Sequence, residues 1–309
     1  MGLALLFPGQ GAQHPDMLPW LYGQAKAQPM LQRLEQQLGQ GWHDRLADAS
    51  WAHANAVAQP LVTGISLAAW DVLAPSLPAP SVIAGYSVGE LAAFTAAGVL
   101  PAEGVLALSA DRAQFMAEAA EGLDSCLMAV QGSGALAAVQ SCTGSGAEVF
   151  VAIRINEDRV IAGGVAQAVQ TCAQGWQQAG LRCSRLPVAV ASHTPILATA
   201  STAFAKRLGQ MSLGVPRAAV VCNLTGSASR SPAQLATALA GQICHTVKWD
   251  ECMDAIAERG ARCVLEVGPG AALAGMWRER HPRVPVRSTD EFQGPDGVAE
   301  WVRSQLARA

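Results

Sequence analysis

One pentapeptide constrains this chain more than any other stretch: Gly85-Tyr86-Ser87-Val88-Gly89, its only Gly-x-Ser-x-Gly. A buried, strand-like run (Ser81-Val-Ile-Ala84) leads into it, and a helical pattern beginning near Glu90 leads out. Strand, sharp turn and helix in that order are what a nucleophile elbow requires, with glycines where side chains would clash against strand and helix. A serine at the tip stands at a helix N-terminus, where free N–H groups and the helix dipole favour a developing oxyanion. The competing reading is an ordinary glycine-rich turn between a strand and a helix.

An elbow of this kind needs a parallel sheet around it, and the flanking chain supplies the alternation. Leu3–Phe7 reads as a short strand ended by Pro8-Gly9, residues 26–39 and Gln59–Leu73 as helices, and Ser81–Gly85 as a buried strand. Glu90–Gly98 and Ala102–Ala120 follow as helices split by Pro101. Strands alternating with helices predict an α/β fold with a parallel sheet. The middle differs. Strand Cys126–Gln131, helix Ala135–Cys142, strands Glu148–Ile155 and Arg159–Ala162, helix Ala166–Gly180 and strand Cys183–Val190 make a βαββαβ order, that of a ferredoxin-like unit. The expectation is a core over 1–124 and 193–309 with a small subdomain inserted over 125–192. Beyond it the alternation resumes, with strands at Ala218–Cys222, Cys263–Val267 and Val284–Arg287, and helices near 195–209, 232–243, 249–259, 271–280 and 297–307.

Composition removes several classes of function. Half of the 309 residues are hydrophobic and 15% are charged, enough to bury a large core and too apolar for a disordered tail. Aromatics are 5% and basic residues are scattered, so no nucleic-acid surface is expected. No uninterrupted apolar run reaches the roughly 18–20 residues of a membrane span. The N-terminal run lacks the basic flank of a signal peptide, and Leu6 stands where a myristoylation signal wants Ser or Thr. All eight cysteines lie after residue 125 and none forms Cys-x-x-Cys, so neither a metal site nor a redox motif is indicated. They read as small buried hydrophobes of a reducing, cytoplasmic compartment.

A serine hydroxyl needs a base. Of six histidines, His193 ranks first because it sits where the inserted unit returns to the core, and clefts form at such junctions. His14 and His245 rank next, while His43 and His53 carry no local signal and His281, before Pro282, reads as a loop residue. Arg112 stands out separately. It is one of four basic residues, against twelve acidic ones, in the first 150, and it lies on an otherwise apolar helix. A buried guanidinium must meet an anion, reach solvent by snorkelling, or pair with Asp111 or Glu118.

Phe7-Pro-Gly-Gln-Gly-Ala-Gln13, Gly85-Tyr-Ser-Val-Gly-Glu90, Arg112 with Met116, Ser192-His193 and Val267-Gly-Pro-Gly270 together resemble malonyl-CoA:acyl-carrier-protein transacylases, in order and spacing, from residue 3 to about 280. The resemblance implies an α/β-hydrolase-like core with a ferredoxin-like insertion. It implies Ser87 as the nucleophile taking the acyl group from coenzyme A, His193 as its base, and the backbone carbonyl of Gln242 as the group orienting the imidazole. It further implies the N–H groups of Val88 and Gln10 as an oxyanion hole, Arg112 as the partner of the malonyl carboxylate, and Gln59, Tyr86 and Met116 as lining of the substrate site. No metal or redox cofactor is implied. The acceptor would be the phosphopantetheine thiol of an acyl carrier protein, and a monomer is the default. Tyr86 departs from the family's histidine, the Asn156 region is shorter than usual, and Val190-Ala-Ser-His193 leans toward methylmalonyl-selective members while Val88 matches malonyl-selective ones.

Three other readings stand beside malonyl transfer: an editing acyl (thioester) hydrolase, the malonyl-transferring subunit of a malonate decarboxylase, and a non-enzymatic scaffold. The choice between fatty-acid and polyketide pathways stays open. The net charge of −3 divides into −8 over residues 1–150 and, with seventeen basic and twelve acidic groups, +5 over 151–309. Arg182, Arg185, Arg278, Arg280, Arg283 and Arg287 are therefore candidates for a rim that steers an acidic carrier and the polyanionic coenzyme.

Overall fold

The protein is described by a computed structural model over residues 2–188 and 190–308. From β1 (Leu3–Phe7) the chain runs through α1 (Gln28–Leu38), the one-turn α2 (Ala49–Ala52) and α3 (Asn55–Leu73) to β2 (Val82–Gly85), then α4 (Gly89–Ala96) and α5 (Ala102–Ala119). The middle comprises β3 (Ser125–Gln131), α6 (Ala135–Gly144), β4 (Val149–Asn156), β5 (Arg159–Val165), α7 (Ala166–Gln178) and β6 (Arg182–Arg185). The return consists of α8 (Ala198–Leu208), β7 (Ala219–Cys222), β8 (Ser227–Ser229), α9 (Pro232–Gly241), β9 (Val247–Lys248), α10 (Trp249–Glu258), β10 (Cys263–Glu266), α11 (Ala272–Arg280), β11 (Val286–Ser288) and α12 (Pro295–Ala307).

Two sheets result. The first has order β11-β10-β1-β2-β7-β8 and is parallel except for the edge pair β7–β8. The second has order β6-β3-β5-β4-β9, antiparallel apart from β9 on β4. Alternation along the strands builds three cores. Leu3, Leu5, Phe7 and Ile83 face a layer that includes α3, α4, α5 and α8. Ala4, Leu6, Val82 and Ala84 face the opposite way, onto α10, α11 and the inner face of the second sheet (Leu127, Ile153, Ile161). Met128, Val130 and Val160 point outward under α6 and α7. The second sheet thus shares a core with the first, and β9, from outside residues 125–192, extends it.

Three expectations are corrected. The strand expected over Cys183–Val190 ends at Arg185, shortly before Pro187, which has no N–H to give a ladder; Ala189 lies outside the described residues. The helix expected from Gln59 begins at Asn55, so Pro60 lies inside it. Finally, Asn55–Ser76 is long and apolar enough, by length and composition, to cross a membrane. Residues 58–69 are nonetheless buried without interruption, so polar Gln59, Thr63 and Ser66 lie in the protein interior.

Candidate active site

β2 lies between β1 and β7, and its C-terminal end delivers the elbow. Ser87 has φ +53°, left-handed backbone that is costly for a non-glycine residue. The turn is this tight because α4 begins two residues later, almost in contact with the strand it follows. A side chain on Gly85 would overlap the backbone of Gly89, and one on Gly89 would overlap the carbonyl of Phe7. The loop after β1 crosses the same place, with Tyr86 N–H donating to the Phe7 carbonyl at 2.9 Å. Neither the Val88 N–H nor the Gln10 N–H meets an acceptor among the described residues.

Ser87 Oγ is 2.8 Å from His193 Nε2, and His193 Nδ1 is 2.5 Å from the Gln242 carbonyl. A carbonyl only accepts, so Nδ1 carries the proton and Nε2 presents a lone pair to the serine hydroxyl. His193 is itself left-handed, at φ +64°, and its N–H donates to the Ile243 carbonyl at 2.8 Å. Burial, then the nearby Arg112 cation, push its pKa down to about 3 against the opposing pull of the Gln242 carbonyl. The ring is a neutral base throughout the physiological range.

Arg112, 1% exposed, is the third member of the cluster. Its Nη1 donates to Gln59 Oε1 at 2.7 Å, and Nη2 lies 3.4 Å from Gln242 Oε1 and 3.5 Å from Ser87 Oγ. Gln59 is completed by a weak contact from Nε2 to Met116 Sδ at 3.5 Å. Asp111 and Glu118 are engaged elsewhere, with Arg207 and Gln114, each at 2.7 Å. Burial lowers the guanidinium pKa to about 10, so it stays charged at neutral pH. The carboxyl of Glu90, buried in the first turn of α4, is raised by burial to about 8 and is neutral there. A charged guanidinium without a carboxylate in salt-bridge contact among the described residues, close to a serine hydroxyl, has the chemistry to pair with an anion.

Ser87, His193, Gln242, Arg112, Gln59 and Met116 are therefore brought together. Tyr86 is placed differently, its ring edge-on to Trp249 at 5.1 Å between the sheets. Of the other histidines, His14 binds Asp290 at 2.6 Å, His53 meets Gln13 at 3.2 Å, His281 meets Asp254 at 3.2 Å, and His43 packs edge-on to Tyr22. His245 is exposed and lines a cavity of about 560 Å³ beside His193, walled by Phe150 and Val151 of β4 and Thr143 of α6. Two buried residues went unassigned in the sequence, Asn223 and Glu90. The available signals were a polar residue ending the apolar strand β7 and a carboxylate on an otherwise apolar helix.

The expected arginine rim divides. Arg278 and Arg287 both pair with Glu291, at 2.8 and 3.0 Å, and Arg280 pairs with Asp254. Arg278 and Arg287 share the one carboxylate of Glu291, so these pairs reduce the positive charge there without cancelling it. Arg182, Arg185 and Arg283 are exposed and without an ion pair among the described residues. No cluster of metal-ligating side chains occurs among the described residues.

Residues 4–285 match the acyl transferase domain family. The malonyl CoA-acyl carrier protein transacylase of Mycobacterium tuberculosis is 30% identical over 312 residues, covering 96% of this chain and 99% of that protein. The Haemophilus influenzae protein of the same name is 28% identical, with 97% and 98% covered. Among solved structures, an acyl-carrier-protein S-malonyltransferase from Burkholderia pseudomallei superposes with a TM-score of 0.90 at 27% identity, covering 97% of this chain and all of that one.

Proposed function

The chain belongs to the acyl transferase domain family, and from that premise we propose that it is an [acyl-carrier-protein] S-malonyltransferase, moving malonyl from malonyl-CoA through a Ser87 ester to a carrier's phosphopantetheine thiol. His193 Nε2 takes the hydroxyl proton as Ser87 Oγ attacks the thioester carbonyl. The N–H groups of Val88 and Gln10 receive the oxyanion. Collapse expels the coenzyme A thiolate, which takes the proton back from His193. The carrier's thiol then repeats the sequence in reverse, giving ping-pong kinetics. Thioester to ester to thioester needs no metal or redox cofactor.

The observation that carries the malonyl reading is Arg112, charged, buried and 3.5 Å from Ser87 Oγ. Gln59 and Gln242 hold its Nη atoms with neutral oxygens that a carboxylate can displace or share. A malonyl carboxylate reaching the guanidinium fixes the thioester carbon over Ser87, whereas an acetyl group leaves the cation unpaired. The test is transfer of malonyl and acetyl groups by wild type and Arg112→Ala. Loss of malonyl transfer by at least about 10²-fold, with acetyl transfer unchanged or improved, is expected from removing one side of a buried charge pair. Equal losses for both substrates would refute the assignment.

The finer architecture is read as a hydrolase-like core (1–124, 193–309) with a ferredoxin-like insertion (125–192), supported by the βαββαβ order and the β6-β3-β5-β4 arrangement. We take the enzyme to act in the cytoplasm, the compartment in which eight free cysteines stay reduced, and as a monomer by default. Arg182 and Arg185, exposed on the edge strand β6, are the candidates for a carrier-docking surface within the insertion.

A further inference from the structure

Asn223 is fully buried at the first position beyond β7, and all of its polar groups are engaged. The side chain spans the elbow, with Oδ1 accepting from the Ser87 N–H at 2.7 Å and Nδ2 donating to the Gly85 carbonyl at 2.6 Å. Its own N–H donates to Glu90 Oε1 at 2.6 Å, and its carbonyl accepts from the Lys248 N–H at 2.9 Å. It is thus fixed from α4 on one side and from the start of α10 on the other.

We propose that Asn223, held by Glu90, is the positioning residue that keeps Ser87 in its reactive left-handed conformation. Left to itself, a serine in this region relaxes toward ordinary backbone. The amide opposes that by tying both arms of the turn with two short, buried hydrogen bonds. The direction of Oγ toward His193 Nε2 follows from the backbone so fixed. A second consequence concerns the oxyanion: with the Ser87 N–H committed to Asn223, the neighbouring Val88 N–H is the elbow donor left free. A neutral amide offers both a donor and an acceptor at this separation. An alanine or a leucine there would leave two buried backbone groups without partners.

The inference rests on Ser87 being the nucleophile of the proposed transfer, so the test reads serine reactivity apart from malonyl recognition. Wild type, Asn223→Ala and the near-isosteric Asn223→Leu, which has no hydrogen-bonding group, are treated with a small fluorophosphonate, which carries neither carboxylate nor coenzyme, and separately with malonyl-CoA. In each folded variant, phosphonylation of Ser87 should slow by about 10²-fold, the scale of an ångström-level misplacement. The kcat for malonyl transfer should fall in parallel while KM for malonyl-CoA stays within about threefold, a split that follows from misplacing a nucleophile without altering binding. A folded variant phosphonylated at close to the wild-type rate, or one whose loss lies in KM alone, overturns the proposal. Wild type that takes the phosphonate but no malonyl group would count against the malonyl reading and leave the positioning test intact.

Discussion

The two sheets bear on the site in different ways. In the first, parallel strands all end on one side, so residues distant in sequence arrive together: Gln10 after β1, Ser87 after β2 and Asn223 after β7. This is the crevice at the carboxyl ends of strands where open α/β sheets bind ligands. In the second sheet, antiparallel neighbours end on opposite sides, and the strands supply a wall and an edge. Phe150 and Val151 line the cavity beside His193, and Arg182 and Arg185 face solvent on β6. The parallel strand ends thus bring the candidate reacting groups together, whereas the antiparallel unit borders them. Substitutions at strand ends of the first sheet should therefore alter rates, and those on the second should alter encounter.

The hardest test of that division is His193→Ala. The histidine is carried by the segment that leaves the second sheet, yet its geometry is set by Ser87 and Gln242 of the core. Transfer should fall by at least about 10³-fold with the fold retained, since a serine without its base is a weak nucleophile. Retained activity would remove His193 from the mechanism. A smaller effect separates the charges within the site. Because burial and Arg112 hold the His193 pKa near 3, the acid limb of kcat/KM should lie well below pH 6.5, the rate staying flat until the ring protonates as pH falls toward 3. In Arg112→Ala the cation is gone and the limb should move upward. A wild-type limb at pH 6–7 assigned to this ring would contradict the buried, neutral base.

The smallest expected effect lies on the edge strand. Arg182→Glu with Arg185→Glu should raise KM for an acidic carrier a few-fold, more at low salt than at high, without changing acylation of Ser87 by malonyl-CoA. Slower acylation would mean that the second sheet shapes more than encounter.

What the sequence disclosed follows the reach of each interaction. The elbow is legible because its demands are local: a buried strand, two glycines in close contact and a helix within five residues. His193 is legible from its place at a junction, and Arg112 from being a cation on an apolar helix. Asn223 is not, since it contacts residues 136 and 138 positions away, joined to it only by the pairing of β2 with β7. The partners of the rim arginines are hidden in the same way. Charge is visible in a sequence, but partners are not, and Asp254 and Glu291 claim three of the six. Pro187 was a local signal against a strand through Val190, and the apolar run around it outweighed it. The parallel β9 on β4 gives no signal in two residues.

Transfer as proposed requires Ser87 to carry the malonyl group between coenzyme A and the carrier. Incubation of the protein with malonyl-CoA, acid quenching before any carrier is added, and peptide mass spectrometry tests it directly. One malonyl adduct is expected, located on Ser87, absent from Ser87→Ala, and discharged when carrier protein is supplied. An unmodified Ser87 under those conditions, or an adduct that persists in Ser87→Ala, would contradict it.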